Sequence, residues 1–282
     1  MRRFAARHAS VVLDLSKDDP PTLRAKARAA LSGSASPHFY VAGFGFRAGL
    51  RAALGAAASA FDEEEHEERR HFDLNAVSEV SSELAEFKRN MHALALRLVD
   101  VLFSPEGGER EKGSEVAAAA AAAAATDGLA IDVNSPLSVK WYRGSACKSE
   151  TRLGAHVDGN MFTLLWSNTP GLQVLRPDAD VGREDLMYFG MPLIGAGPSL
   201  SFEEEDFVDV AAPEGYALEE LMLFTVGRSW FSESNPLTRG TRLLGAKCPV
   251  LHRVAFANQL EDRFSIPFLI NFVSISVDDE RG

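Results

Sequence analysis

The stretch Thr151 to Trp166, TRLGAHVDGNMFTLLW, decides how this chain is read. It sets His156 and Asp158 two residues apart, and the β-type segment FTLLW follows at once. On an extended backbone, residues i and i+2 project to the same side, so an imidazole and a carboxylate at that spacing can grip one hard or borderline metal ion. A single pair of this kind says little. A second one, His71 and Asp73, follows the charge-dense run EEEHEERR and reads as solvated surface. His156 and Asp158 differ in lying between strand candidates.

From Leu137 onward the chain is a series of short β-type segments, LSVKWY, FTLLW, GLQVL, FVDV, LMLFTV, VLHRVAF and RFSIPFLINF, separated by Gly, Pro and Asp. Many short strands with turn residues between them predict a sandwich or closed barrel. A metal held by His156 and Asp158 needs a third ligand from another strand, and His252 in VLHRVAF is the only histidine after position 156. Two histidines and one aspartate on one side of a metal leave its other positions open, an arrangement suited to Fe(II) oxygen chemistry. Beyond His252 comes RFSIPF. There Arg263 and Ser265 share one strand face and Phe264, Ile266 and Phe268 the other, which would aim a cation and a hydroxyl into a pocket backed by an apolar wall. The planar fork of Arg suits a carboxylate. On the residues alone, an edge-strand Arg in a surface ion pair is the favoured reading.

The first part of the chain has a different grammar. Val11 to Leu15 reads as a short strand, Pro20 and Pro21 open a helix carrying Leu23, Ala27, Ala30 and Leu31, and Phe39 to Phe46 is aromatic and extended. The charged run Asp62 to His71 reads as a solvated helix face. Phe87, Met91, Leu94, Leu98 and Leu102 recur at three- or four-residue steps and predict an amphipathic helix. Between Phe103 and Asp132 lie SPEGGEREKGSEV and the alanines Ala117 to Ala125, which offer little area to bury and read as a surface insertion. The expected organisation is a helical part with short strands over residues 1–103, a low-complexity insertion over 104–131, and a β core over 132–282.

Composition narrows the function. The 282 residues suit one or two domains. A net charge of -11 disfavours non-specific nucleic-acid binding. With 46% hydrophobic and 24% charged residues the chain is neither disordered nor fibrous. Only Cys147 and Cys248 occur, too few for a thiolate zinc site or a disulfide framework, so both read as ordinary thiols and any metal must rest on His and carboxylates. The basic start MRRFAARHAS lacks the apolar run of a secretory signal, and no segment reaches the ~20 apolar residues of a membrane span. A cytoplasmic protein without a membrane partner is expected, organelle targeting staying open. GFGFRA at Gly43 to Ala48, with Asp62 further on, fits a dinucleotide fingerprint only formally, because no alternating βα repeat follows. Trp166 and its neighbouring Phe residues read as core. Nothing in the sequence sets the oligomeric state.

The motifs HVD, FTLLW, GLQVL, LHRV and RFSIPF, in this order, resemble the isopenicillin N synthase-like branch of the Fe(II) and 2-oxoglutarate-dependent dioxygenases. VVLDLS, a helix and HFYVAGFGF resemble that family's opening. The resemblance is strongest from Leu137 to Phe272 and absent in the alanine tract. It implies a double-stranded β-helix, a jelly roll whose mouth holds the metal. It implies that His156, Asp158 and His252 bind iron, and that Arg263, Ser265 and Tyr142 hold the distal carboxylate of 2-oxoglutarate. With dioxygen, such an enzyme oxidises a small organic substrate, usually by hydroxylation, and releases succinate and carbon dioxide. An iron oxidase of the same fold that spares 2-oxoglutarate, or a silent scaffold, are the alternatives. The chain departs from the family pattern at Lys140, where many relatives have Asn, and at Gly227-Arg228, where Gly-Asp is usual. The stretch between His156 and His252 is also longer than in plant relatives, with the surplus expected in Pro177 to Glu205 and Ser229 to Pro249, beside the mouth where substrate is chosen.

Overall fold

Strand pairing sorts the β-type segments into two main sheets, and both apolar runs and strands with polar residues at alternate positions occur in the larger one. The structure, a computed structural model, describes residues 10–32, 36–46, 69–73, 82–103, 129–132, 135–142, 151–181, 183–189, 202–232, 244–255 and 262–274. Its strands are β1 (Val12–Asp14), β2 (His38–Ala42), β3 (Arg69–Asp73), β4 (Leu129–Ile131), β5 (Ser138–Tyr142), β6 (Thr151–Val157), β7 (Phe162–Ser167), β8 (Leu172–Leu175), β9 (Phe207–Asp209), β10 (Met222–Val226), β11 (Leu251–Ala255), β12 (Arg263–Ile270) and β13 (Phe272–Ser274). The helices are α1 (Pro20–Leu31), α2 (Ser82–Phe103) and the short α3 (Arg183–Tyr188). A seven-stranded sheet runs β1-β2-β10-β7-β12-β5-β3, a four-stranded sheet β6-β11-β8-β9, and β13 pairs with β4. All pairings are antiparallel except β1 with β2. This is the jelly roll expected of the β-rich half.

Strands β2 and β10 are buried on both faces, which is why they read as nearly unbroken apolar runs. The outer face of the large sheet carries Phe39, Val41, Phe162, Leu164, Trp166, Phe224, Ile266 and Phe268, which pack with Leu23, Ala27 and Leu31 of α1 and with Phe87, Met91, Leu94, Leu98 and Leu102 of α2. Phe224 stacks between Phe39 and Phe162, at centroid separations of 4.4 and 4.8 Å. Removing one such ring costs about 3–5 kcal/mol. The α1 helix begins where Asp19 accepts a hydrogen bond from the Thr22 amide at 3.0 Å and two prolines occupy the first turn. The inner face packs Tyr40, Tyr142 and Leu223 against Leu172, Val174 and Val254 of the small sheet. Trp166 is core, as expected, its indole N–H donating to the Glu219 carbonyl.

Strands β1, β2 and β3 from the helical first part join the same sheet as β5, β7, β10 and β12. Arg69 to His71, expected on a helix face, instead begin β3, which pairs with β5 at the sheet's end. Cross-strand pairing outweighs composition there, and a charge-rich sequence suits an edge strand that must not recruit further partners. Leu129–Ile131, at the end of the stretch read as an insertion, form β4 on β13. The extended run from Phe39 stops at Ala42, because Gly43 takes a φ of +69° and a Cβ there would lie 2.6 Å from Asp14 Oδ1. Close approach to β1, not a phosphate, accounts for this glycine. Cys248 packs with Val157, Leu175 and Leu251. Asp62 to Glu68, the alanine tract and Cys147 lie outside the described residues, as do the side chains of His71 and Asp73.

Candidate metal centre

His156 and His252 face each other because β6 and β11 are paired, with His252 opposite His156 in the register. A register shift between this pair and Val254–Leu153 lets both Leu153 and His156 line the interior although they stand three residues apart. Asp158 follows the last residue of β6. Its Oδ1 lies 3.7 Å from His156 Nε2 and 3.8 Å from His252 Nε2, and the three ligand atoms all fall within 4.8 Å of one another. Bonds of about 2 Å to a shared ion span up to about 4 Å between ligand atoms, which accommodates the 3.7 and 3.8 Å separations from Asp158.

The surroundings prepare these atoms to bind a cation. His156 Nδ1 meets the Gly154 carbonyl at 2.8 Å and His252 Nδ1 the Val250 carbonyl at 3.1 Å. A carbonyl only accepts, so each Nδ1 carries a proton and each Nε2 is the nitrogen turned to the site. Burial pulls the His156 imidazole down to about 4, and the neighbouring His252 adds to the effect. It is therefore neutral at pH 7. Burial would raise the Asp158 carboxyl, but His252, the Thr163 hydroxyl and His156 outweigh it and hold the group below the usual carboxylate range. Thr163 Oγ1 donates to Asp158 Oδ2 at 2.6 Å and Asn160 Nδ2 contacts Thr163 Oγ1 at 3.1 Å, which fixes the carboxylate with Oδ1 inward.

The loop carrying Asp158 is clamped from β10. The amides of Gly227, Arg228 and Ser229 donate to the carbonyls of Met161, Asp158 and Asn160 at 2.9, 2.9 and 3.1 Å. A Cβ on Gly227 would lie 2.1 Å from the Asn160 carbonyl oxygen, so the glycine is needed for that approach. Arg228, in place of the usual acid, turns its guanidinium to the Phe189 carbonyl beyond α3.

The trio opens into a cavity of about 460 Å³, counting its mouth, between the two sheets. Arg263, Ser265, Pro267 and Leu269 of β12 alternate into it, as the spacing of RFSIPF implies. Arg263 is 2% exposed, and its Nε, Nη1 and Nη2 have no hydrogen-bond partner among the described residues. Its guanidinium lies over the Tyr142 ring, 5.4 Å from the centroid, and Tyr142 is its register partner on β5. Burial pushes the guanidinium down to about 10, against the pull of the Tyr142 and Tyr40 phenols, so it stays charged at neutral pH. The edge-strand ion pair is excluded. Gly171, at φ +124°, approaches Arg263 from β8. The structure thus brings all six expected residues, Tyr142, His156, Asp158, His252, Arg263 and Ser265, to one cavity. Thr163, Asn160, Tyr40 and Gly171 were not foreseeable as supports, since only tertiary pairing puts them there.

No family model and no curated protein matches this sequence. Solved structures do. AtDAO1, dioxygenase for auxin oxidation 1 from Arabidopsis thaliana, in its complex with 2-oxoglutarate, aligns at TM-score 0.56 and 15% identity over 93% of this chain and 92% of its own. A full-length Neurospora crassa protein solved in complex with alpha-KG aligns at 0.56 and 16% over 96% and 88%. JOX2 in complex with 2OG, Fe and JA aligns at 0.55 and 15% over 95% and 78%. The chain has the fold of the Fe(II) and 2-oxoglutarate-dependent oxygenases. In this oxygenase fold the described residues fit the group it implies: two imidazoles and a carboxylate match a facial Fe(II) site, and the buried guanidinium with three unpartnered nitrogens asks for an anion. No helix among the described residues is long and apolar enough to cross a membrane.

Proposed function

We propose that the protein is a non-haem Fe(II)- and 2-oxoglutarate-dependent dioxygenase that oxidises, by hydroxylation, a small organic substrate. The observation that carries this reading is the presence, in one cavity, of the His156–Asp158–His252 trio and a fully buried Arg263 without a partner among the described residues. His156, Asp158 and His252 would hold Fe(II), and Arg263, Ser265 and Tyr142 the distal carboxylate of 2-oxoglutarate. When bound, the metal and keto acid supply the oxidising chemistry, coupling reduction of dioxygen to formation of succinate and carbon dioxide.

The chain's own contribution is positional and electrostatic. The Gly154 and Val250 carbonyls hold the two imidazoles by Nδ1 so that Nε2 faces the site, and Thr163 keeps the Asp158 carboxylate turned inward. Arg263 offers a two-pronged donor at the closed end. Leu153, Leu165, Leu172, Val254, Pro267 and Leu269 keep the space between the two ends apolar, which strengthens each charge interaction there. Neighbours of this fold bind 2-oxoglutarate, and the Neurospora crassa protein also binds 5-formyluracil, which supports the small-molecule substrate. The cytoplasmic location expected from the sequence belongs to the same proposal.

Anaerobic titration with Fe(II) and then 2-oxoglutarate tests the reading. The expected result is one equivalent of each bound, a visible metal-to-ligand charge-transfer band, and succinate formation once air is admitted. Oxidation of a substrate without consumption of 2-oxoglutarate would establish the oxidase alternative. Binding of neither would establish the scaffold, and iron binding without 2-oxoglutarate would leave the oxidase.

A further inference from the structure

Arg228 stands where the family this chain resembles usually has an acid, and its side chain reaches well beyond the metal loop. The backbone on either side of it grips that loop. The Arg228 amide donates to the Asp158 carbonyl at 2.9 Å, between the Gly227 and Ser229 amides on the Met161 and Asn160 carbonyls. Ser229 Oγ adds a bond to the Gly159 carbonyl at 2.6 Å. The guanidinium turns the other way and donates to the Phe189 carbonyl, just past the end of α3.

A helix of six residues does not stand by itself, and its last carbonyls need donors from elsewhere. The last turn of α3 has no basic residue of its own, so Arg228 supplies both the donor and the favourable charge at that end. The helix lies within Pro177 to Glu205, a stretch expected beside the mouth, yet none of its described residues lines the cavity. It packs behind the site instead. Leu186, fully buried, clusters with Val157, Leu175, Phe207 and Leu251 on the outer face of the small sheet. Val157 follows His156 and Leu251 precedes His252, so by strand alternation α3 backs the two strands whose other face presents the histidines.

Arg228 therefore joins two halves of the metal centre. The histidines stand on the small sheet, whereas the Asp158 loop is clamped to the end of β10 in the large one. Asp158 Oδ1 lies 3.7 and 3.8 Å from the two Nε2 atoms, close to the about 4 Å that two bonds to one ion can span. Little slack remains, and a parting of the two sheets by about 1 Å would exceed that span.

We propose that Arg228 is a positioning residue for the metal: through α3 it ties the Asp158 loop to the sheet that carries His156 and His252, and so holds the trio closed. The proposal rests on the metal-binding half of the reading above and not on the cosubstrate. Charge and strap predict opposite signs. A cation beside the Asp158 loop repels a divalent metal, so a side chain acting by charge alone would weaken binding, and one acting as a strap strengthens it.

The test measures Fe(II) affinity of the full chain by anaerobic competition with a chelating dye. Arg228→Met is expected to weaken Fe(II) about tenfold, as loss of a supporting contact does, and Arg228→Lys, which keeps a donor for Phe189, should recover part of it. Leu186→Ala loosens α3 without touching Arg228 and should give a loss of similar size. The double variant should bind no more weakly than the weaker single one, because both changes cut the same link. With Co(II) at saturation, the ligand-field spectrum of Arg228→Met should differ from that of wild type, a change that lower stability alone does not produce. Fe(II) binding by Arg228→Met that equals or exceeds wild type overturns the proposal, and so do additive losses in the double variant, which would mean that Arg228 and α3 act separately. If Leu186→Ala does not fold, the affinities and Co(II) spectrum of the Arg228 variants decide. Failure of the underlying reading shows separately, as absent Fe(II) binding by the wild-type protein.

Discussion

Thr163 does for Asp158 what the Gly154 and Val250 carbonyls do for the two histidines. Each supplies the second hydrogen bond that turns a mobile ligand into a fixed one, and loss of such a partner typically weakens metal affinity about 10–100-fold. Thr163→Val keeps the side chain's shape and removes the donor at 2.6 Å from Asp158 Oδ2. Fe(II) affinity, measured by anaerobic competition with a chelating dye, is expected to fall by that factor, and Thr163→Ser should recover most of it. An unchanged affinity would show that the loop clamp from Gly227–Ser229 alone positions Asp158. The larger loss belongs to the ligands themselves: His156→Ala and His252→Ala should each abolish tight Fe(II) binding, and retention in both would refute the trio. These ligands could be read from the sequence because period-two spacing and strand alternation are local. Thr163 could not, because its relation to Asp158 depends on a tight loop between β6 and β7 that no periodicity announces.

At the scale of elements, the first strand is held by a polar staple remote from the metal. Asp14, 4% exposed, accepts from the Ser16 amide and hydroxyl at 3.0 and 2.6 Å and from the Tyr216 hydroxyl at 3.0 Å, and pairs with Lys17 at 2.8 Å. Burial raises this carboxyl, but the bonds from Lys17, Ser16 and Tyr216 outweigh it and set the group far below its ordinary 3.8. A carboxyl with a depressed folded value stabilises the fold above its unfolded value, and that contribution is lost as pH falls below 3.8. Asp14→Asn is therefore expected to cost about 1–3 kcal/mol at pH 7, as a buried hydrogen-bonded charge is removed. The gap between variant and wild type in urea melts should narrow progressively below pH 3.8. A gap independent of pH would mean that shape, not charge, holds the staple. The same scale shows where sequence reading fails. The charged run ending at His71 resembles a helix face, yet Arg69–Asp73 are fixed as a strand by five register partners on β5, and such non-local pairing leaves no trace in local composition. By contrast α1, α2, β5 and the strands from β7 to β12 are legible, since an amphipathic stripe and short apolar runs between turn residues are written in consecutive residues; β6, with its mixed TRLGAHV sequence, is not.

The whole molecule is organised around a cavity whose far end destabilises it. Arg263 sits between the sheets with three nitrogens unpartnered among the described residues, and an unpaired buried cation costs stability that only an anionic ligand offsets. Arg263→Ala should weaken 2-oxoglutarate by about 3–5 kcal/mol, a hundredfold or more, with Fe(II) affinity retained. Arg263→Met separates function from stability more sharply, because it fills the same volume without the charge. In thermal melts without ligand the Met variant is expected to unfold about 2 °C or more above wild type, the shift that about 1 kcal/mol produces in a chain of this size. Wild type should gain about 2.7 kcal/mol from 2-oxoglutarate at a hundred times its dissociation constant in the presence of Fe(II), and the Met variant none, while both respond equally to Fe(II) alone. If the Met variant melts below wild type in the absence of ligand, the guanidinium has a structural partner and the anion site must be sought elsewhere in the cavity. If it melts higher and loses the 2-oxoglutarate response, the strand alternation that placed Arg263 in the interior exists for the ligand, at a cost to the fold that carries it.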